Sequence, residues 1–132
     1  MKTLTPVTLR VDATAIRAYA ELTDDFNPLH LDPAFAASTS MGGVIAHGTM
    51  SMCLLWQCIA ASLGEDALSS AQTDVRFVKP VREGDVLEAG GRLAGADPTV
   101  FDVWVRGDDG TDRISGSLRV SQASVREAEE AE

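Results

Sequence analysis

Cysteine, histidine, tryptophan and tyrosine are all scarce in this chain, with two Cys, two His, two Trp and one Tyr. Two cysteines, Cys53 and Cys58, are too few for a disulfide framework or a Cys-rich zinc site. Five residues apart on one helix, they would sit about 500° apart and face different ways, and both are expected to be small buried hydrophobes. Positive charge is also short: 11 Lys and Arg stand against 20 Asp and Glu, a formal charge of −9. A polyanion would be repelled by that field, so nucleic acid is not an expected partner. The closing run from Arg126 holds four Glu and one Arg, so the tail carries only part of the acidity. No apolar run follows Lys2, so no signal peptide is visible and a cytoplasmic protein is the simplest expectation.

Charge is missing altogether from Met41 to Gly64. A window of that length can span a bilayer. It holds His47, Gln57 and Ser62, however, and its flanks carry Glu65 and Asp66 without any basic cluster, against the positive-inside pattern. A helix apolar nearly all round is also what a sheet wrapped around it needs. Gly48 to Leu63 is therefore expected to be a buried central helix with no membrane span. With 132 residues, 45% of them hydrophobic and 23% charged, the chain has the size and composition of one globular domain.

Along the chain, Thr3 to Val11 alternates well enough for a first strand or extended arm. Asp12 can cap a helix over Ala13 to Thr23 whose apolar stripe is Ile16, Tyr19 and Ala20. Asn27-Pro28 reads as a turn, and Asp32-Pro33 as a second helix start. After Ser69 the pattern changes to four β-rich runs: 73–81, 86–93, 99–106 and 113–121. Short turns such as Glu83-Gly84-Asp85 and Gly107-Asp108-Asp109-Gly110 separate them, which favours antiparallel neighbours. Helices first and a meander afterwards make an α+β pattern. The domain is expected over 1–122, with 123–132 an acidic tail that is frayed or disordered.

With two histidines, the candidates for a base near neutral pH are few. His30 lies in Asp25-Phe26-Asn27-Pro28-Leu29-His30, where a Pro turn can bring Asp25 and His30 to one water molecule for acid–base work. The plainer alternative is that Asp25 and Asn27 cap turns while His30 fills a surface pocket. His47-Gly48-Thr49 opens the long helix, where free N–H groups can hold a developing negative oxygen and Gly48 lets it approach the backbone. Equally, Gly48 can be a tight helix entry and His47 a hydrogen-bonded core residue. Arg76, Lys79 and Arg82 form the densest basic cluster, either to meet phosphates or as a solvated strand face. No metal-ligand spacing is convincing, and neither a dinucleotide nor a P-loop glycine pattern occurs, so no metal or cofactor is expected.

Residues Asp25-Phe26-Asn27-Pro28-Leu29-His30-Leu31-Asp32-Pro33-Ala34-Phe35-Ala36 resemble the hydratase motif of the MaoC-like, (R)-specific enoyl-CoA hydratases. Gly43 to Met50 resembles the start of that family's central helix, and Val75 to Asp85 its first long strand and turn. The resemblance implies a hot-dog fold, with about five antiparallel strands wrapped around a long central helix. It also implies a homodimer with the acyl-thioester tunnel at the subunit interface. The implied reaction is water addition to a trans-2-enoyl thioester of CoA or an acyl carrier protein, giving the (R)-3-hydroxyacyl product. Asp25 and His30 would be the catalytic pair and Gly48 the donor to the thioester oxygen. Asn27, Thr49, Arg76 and Lys79 would lie on the substrate's path. One departure stands out: the family usually has Gly before the catalytic Asp, and here that position is Asp24. A hot-dog thioesterase and a non-catalytic thioester-binding subunit of a dehydratase complex are the alternatives.

Overall fold

The computed structural model describes residues 2–131, so Met1 at the start and Glu132 at the end of the acidic tail lie outside it. Five strands form one antiparallel sheet: β1 (Val7–Arg10), β2 (Gln72–Phe77), β3 (Val86–Leu93), β4 (Val100–Gly107) and β5 (Asp112–Arg119). Their spatial order is β1-β3-β4-β5-β2, which leaves β1 and β2 as the two edges. Period-two alternation sends Leu87, Ala89, Phe101, Val103, Val105, Ile114 and Leu118 to one face, where each is buried. That face curls around the central helix, α4 (Gly48–Leu63), through Leu54, Leu55, Cys58 and Ile59. A single sheet wrapped on one long helix is the hot-dog arrangement. Among the described residues, no helix is long and apolar enough to cross a membrane.

The elements that carry the site lie before α4. In α1 (Ala13–Thr23) the Asp12 carboxylate accepts from the Ala15 N–H at 2.8 Å and so caps the helix. Asp24 ends it in the left-handed region at φ 55°, ψ 38°, its N–H donating to the Ala20 carbonyl. An L residue there is strained, and Asp is one of the few tolerated. Asp24→Gly is therefore expected to raise stability by about 0.5–1 kcal/mol, read as a higher urea midpoint at unchanged slope.

Four local expectations differ from the structure. The Asn27-Pro28 turn continues into a short helix, α2 (Pro28–Leu31), because the Asn27 side chain caps it by accepting from the Leu29 N–H at 3.0 Å. The strand expected over 73–81 stops at Phe77, where Val78 and Lys79 both turn their N–H groups onto the Arg113 carbonyl and Pro80 has none to give. The stretch expected to fray folds as α5 (Gln122–Ala131), anchored by Val125 and Ala128 in the core beside α4. Cys53 is exposed; only Cys58 is buried, its Sγ–H donating to the Thr5 carbonyl at 3.2 Å and its thiol pushed up by burial. The second start signal does open α3 (Pro33–Ala37), capped by Asp32.

Candidate active site

The turn after α1 and the short helix α2 deliver Asp25 and His30 to the N-terminal end of α4. Ile45, just before that end, takes the His30 Nδ1–H on its carbonyl at 2.7 Å. A carbonyl can only accept, so Nδ1 carries a proton, and in the neutral tautomer the ring's lone pair is then on Nε2. The Asp25 Oδ1 accepts from the Asn27 N–H at 3.3 Å, and half of the Asp25 side chain (51%) is exposed. Side-chain ligand atoms of Asp25, His30 and His47 all lie within 4.8 Å of one another. Two groups that close can bind one water between them, at about 2.8 Å to each.

His47 belongs to this cluster, which its sequence position did not reveal. It is 3% exposed, its ring stacks on His30 with centroids 3.9 Å apart, and its Nε2–H donates to the Asp25 carbonyl at 3.0 Å. One imidazole thus fixes both the backbone of Asp25 and the ring plane of His30. Tyr19 was likewise read only as part of an apolar stripe. Its ring meets His47 edge-on at 5.1 Å, and its hydroxyl donates to Thr49 Oγ1 at 2.8 Å. Burial pushes the Tyr19 phenol above its usual range, so it stays a neutral donor. The burial and hydrogen bond of His47 match its reading as a hydrogen-bonded core residue, whereas Tyr19 has no sequence signal beyond being the one Tyr of the chain.

Two imidazoles and a carboxylate are also a metal donor set. Here the ring N–H groups are committed to the Ile45 and Asp25 carbonyls, and the rings are stacked with their planes 28° apart.

Gly48 is the first residue of α4 and therefore has no intrahelical carbonyl for its N–H. A Cβ there would lie 3.2 Å from Phe77 Cε1, so the ring of Phe77 covers this end of the helix closely. Thr49 is exposed beside it. Lys79 lines a cavity of about 260 Å³ together with Gly48 and Phe77, and its Nζ lies 3.5 Å from the Asp109 carboxylate. Arg76 goes elsewhere: alternation along β2 sets it on the outer face of the sheet with Asp74, Asp102 and Ser115. Arg82 comes close to Gly43, where a Cβ would be 3.6 Å from its Nη1.

Residues 1–103 match the model of the MaoC like domain. The chain belongs to the MaoC-like domain family. It is 40% identical over 81 residues to the (R)-specific enoyl-CoA hydratase of Aeromonas caviae, an alignment covering 61% of this chain and 60% of that protein. It is 38% identical over 79 residues to the 3-hydroxybutyryl-CoA dehydratase of Methylorubrum extorquens, covering 59% of this chain and 50% of that one. These matches span between half and three-fifths of the curated relatives' length. Among solved structures, an unliganded R-hydratase from Pseudomonas aeruginosa superposes with a TM-score of 0.76 at 26% identity, over 90% of this chain and 78% of that one. The A. caviae (R)-hydratase gives 0.73 at 25%, over 92% of this chain and 98% of that one. This MaoC-like chain shares the hot-dog fold of these neighbours.

Proposed function

We propose that this MaoC-like protein adds water reversibly to trans-2-enoyl thioesters and yields the (R)-3-hydroxyacyl thioester. The observation that carries the proposal is the convergence of Asp25 and His30 beside the free N–H of Gly48. In the hydration direction, the free Nε2 of His30 takes a proton from the bound water as its oxygen bonds the β-carbon. The π electrons move onto the thioester oxygen, where the Gly48 N–H and the helix N-terminus stabilise the negative charge. The proton taken from water passes from His30 to Asp25, which delivers it to the α-carbon, so both groups end as they began. The names of the two curated relatives support this chemistry for a thioester of CoA. Asn27 supports the turn that carries the pair, Thr49 and Lys79 lie where a thioester would pass, and either CoA or an acyl carrier protein can deliver it.

The chain acts as a homodimer in this proposal. The exposed apolar Phe77 (59%) and Val78 lie at the end of the edge strand β2, whose outer N–H and C=O groups are unpaired within the sheet. Two-fold pairing of that edge would cover them and enclose the site. Light scattering at micromolar concentration is expected to give twice 14.0 kDa. A fully active species at the monomer mass would contradict the pairing.

The purified chain, assayed alone with crotonyl-CoA, tests the reaction. Loss of the enoyl absorbance without release of free thiol is the expected result. Thiol release would make the protein a thioesterase, and no change at all a non-catalytic thioester binder. His47→Ala is expected to cost about 1–3 kcal/mol of stability, because the Asp25 carbonyl loses its donor, while turnover falls less than in His30→Ala. His47→Gln, which keeps a donor, should recover part of both; thermal unfolding and initial rates check this.

A further inference from the structure

The cavity beside Gly48 is walled mainly by apolar side chains such as Ile45, Phe77, Val81 and Ile114, yet two buried polar side chains line it without satisfying all their donors. Ser51, one turn into α4, is 1% exposed, and its Oγ has no hydrogen-bond partner among the described residues. Arg113 is 4% exposed, and its Nε–H likewise has none. Neither side chain takes part in the proposed proton transfers.

Arg113 reaches this place by a defect in the ladder. Val105 pairs with Ile114 and Arg106 with Asp112, so Arg113 is an extra residue without a partner on β4. A bulge of this kind re-aims a side chain that the alternation would have set otherwise. The guanidinium lies flat on Gly107, where any Cβ would collide with it. Its Nη1 donates to Asp109 Oδ1 at 3.2 Å and the Thr111 carbonyl at 3.0 Å, and Nη2 is 3.4 Å from both Asp85 and Asp109. Asp85 and Asp109 already balance its charge together with that of Lys79, which shares Asp109. What the remaining Nε–H lacks is an acceptor, not a counter-ion, so an anionic ligand group would add a third acid where two suffice. A neutral oxygen is the matching chemistry, and the Ser51 hydroxyl, which donates and accepts, suits the same kind of group.

We infer that Ser51 and Arg113 form a polar subsite for a neutral oxygen of the thioester substrate, held in the cavity next to Gly48. This rests on the acyl-thioester reading and adds a specificity element to it. The oxygen has two possible sources: a hydroxyl or carbonyl on the acyl chain, or an amide carbonyl of the pantetheine arm.

Calorimetric titration with the saturated thioesters butyryl-CoA and freshly prepared 4-hydroxybutyryl-CoA, neither of which has a double bond to hydrate, separates them and needs no turnover. Ser51→Ala is the main variant; Arg113→Lys, which keeps the charge and loses Nε–H, is the second. If the oxygen is on the acyl chain, wild type binds 4-hydroxybutyryl-CoA about tenfold more tightly than butyryl-CoA, and Ser51→Ala erases the difference. If it belongs to pantetheine, wild type binds the two alike and Ser51→Ala weakens both about tenfold. Arg113→Lys should act in the same direction wherever it keeps the wild-type unfolding midpoint. Unchanged binding of both thioesters by folded Ser51→Ala overturns the subsite, as does a wild type that binds neither. A wild type that binds butyryl-CoA but does not hydrate crotonyl-CoA refutes the hydratase reading and leaves the subsite standing.

Discussion

Asp25→Asn and His30→Ala are each expected to lower the hydration of crotonyl-CoA by roughly 10²–10⁴-fold, the usual contribution of a positioned acid–base group. Both proteins should remain folded. Asp25 is half exposed, and Asn keeps its size while still able to accept from the Asn27 N–H. His30 is only partly buried, and among the described residues its ring makes one hydrogen bond, to the carbonyl of the partly buried Ile45. The losses should fall on kcat more than on KM, because each residue acts on charge and protons that change in the transition state. Circular dichroism and unfolding midpoints separate the chemical loss from a folding one. A small further role of His47 follows from its stacking on His30: removing the lower ring frees the upper one to tilt, so His47→Ala should lose rate without losing the base.

Gly48→Val is expected to lose on the order of 10²–10³ in turnover, the scale of a lost oxyanion donor. The side chain would stand between the helix N-terminus and the approaching thioester oxygen. Its first carbon would already be 3.2 Å from Phe77, but that ring is 59% exposed and free to give way. The helix itself should survive, since Leu54, Leu55 and Ile59 hold it against the sheet. A soluble Gly48→Val protein that hydrates crotonyl-CoA at the wild-type rate would take Gly48 out of the site. Gly48→Ala, with a smaller group at the same position, should fall between the two.

The central helix was legible because the run without charge from Met41 to Gly64 contains all of Gly48–Leu63. Strands β3, β4 and β5 were legible from alternation and turn chemistry, to within a residue or two at each end. Where the reading failed, tertiary partners decided the outcome. Val125 and Ala128 find a hydrophobic surface beside α4, which composition alone cannot show, and so the acidic tail is helical. Strand β2 ends early because a carbonyl on β5, at Arg113, captures the next two N–H groups. In the candidate site, Asp25, His30 and Gly48 stand out through the family resemblance, since their spacing alone also fits turn caps and a tight helix entry; the structure brings the Asp25 and His30 side chains together. The partners of His47 and the role of Tyr19 were not legible, because they come from contacts across 22 and 30 residues of chain. Arg76 was grouped with Lys79 by sequence proximity, and the pleat together with the end of β2 sends them to different surroundings.

Whether Asp25 and His30 form one acid–base unit is tested most directly by a double-mutant cycle on crotonyl-CoA, comparing kcat/KM for Asp25→Asn, His30→Ala and the combined variant. Members of one unit are strongly non-additive. The combined variant is expected to be hardly slower than the worse single one, with all three proteins folded. Losses that multiply, or a His30→Ala protein that hydrates normally, would contradict it.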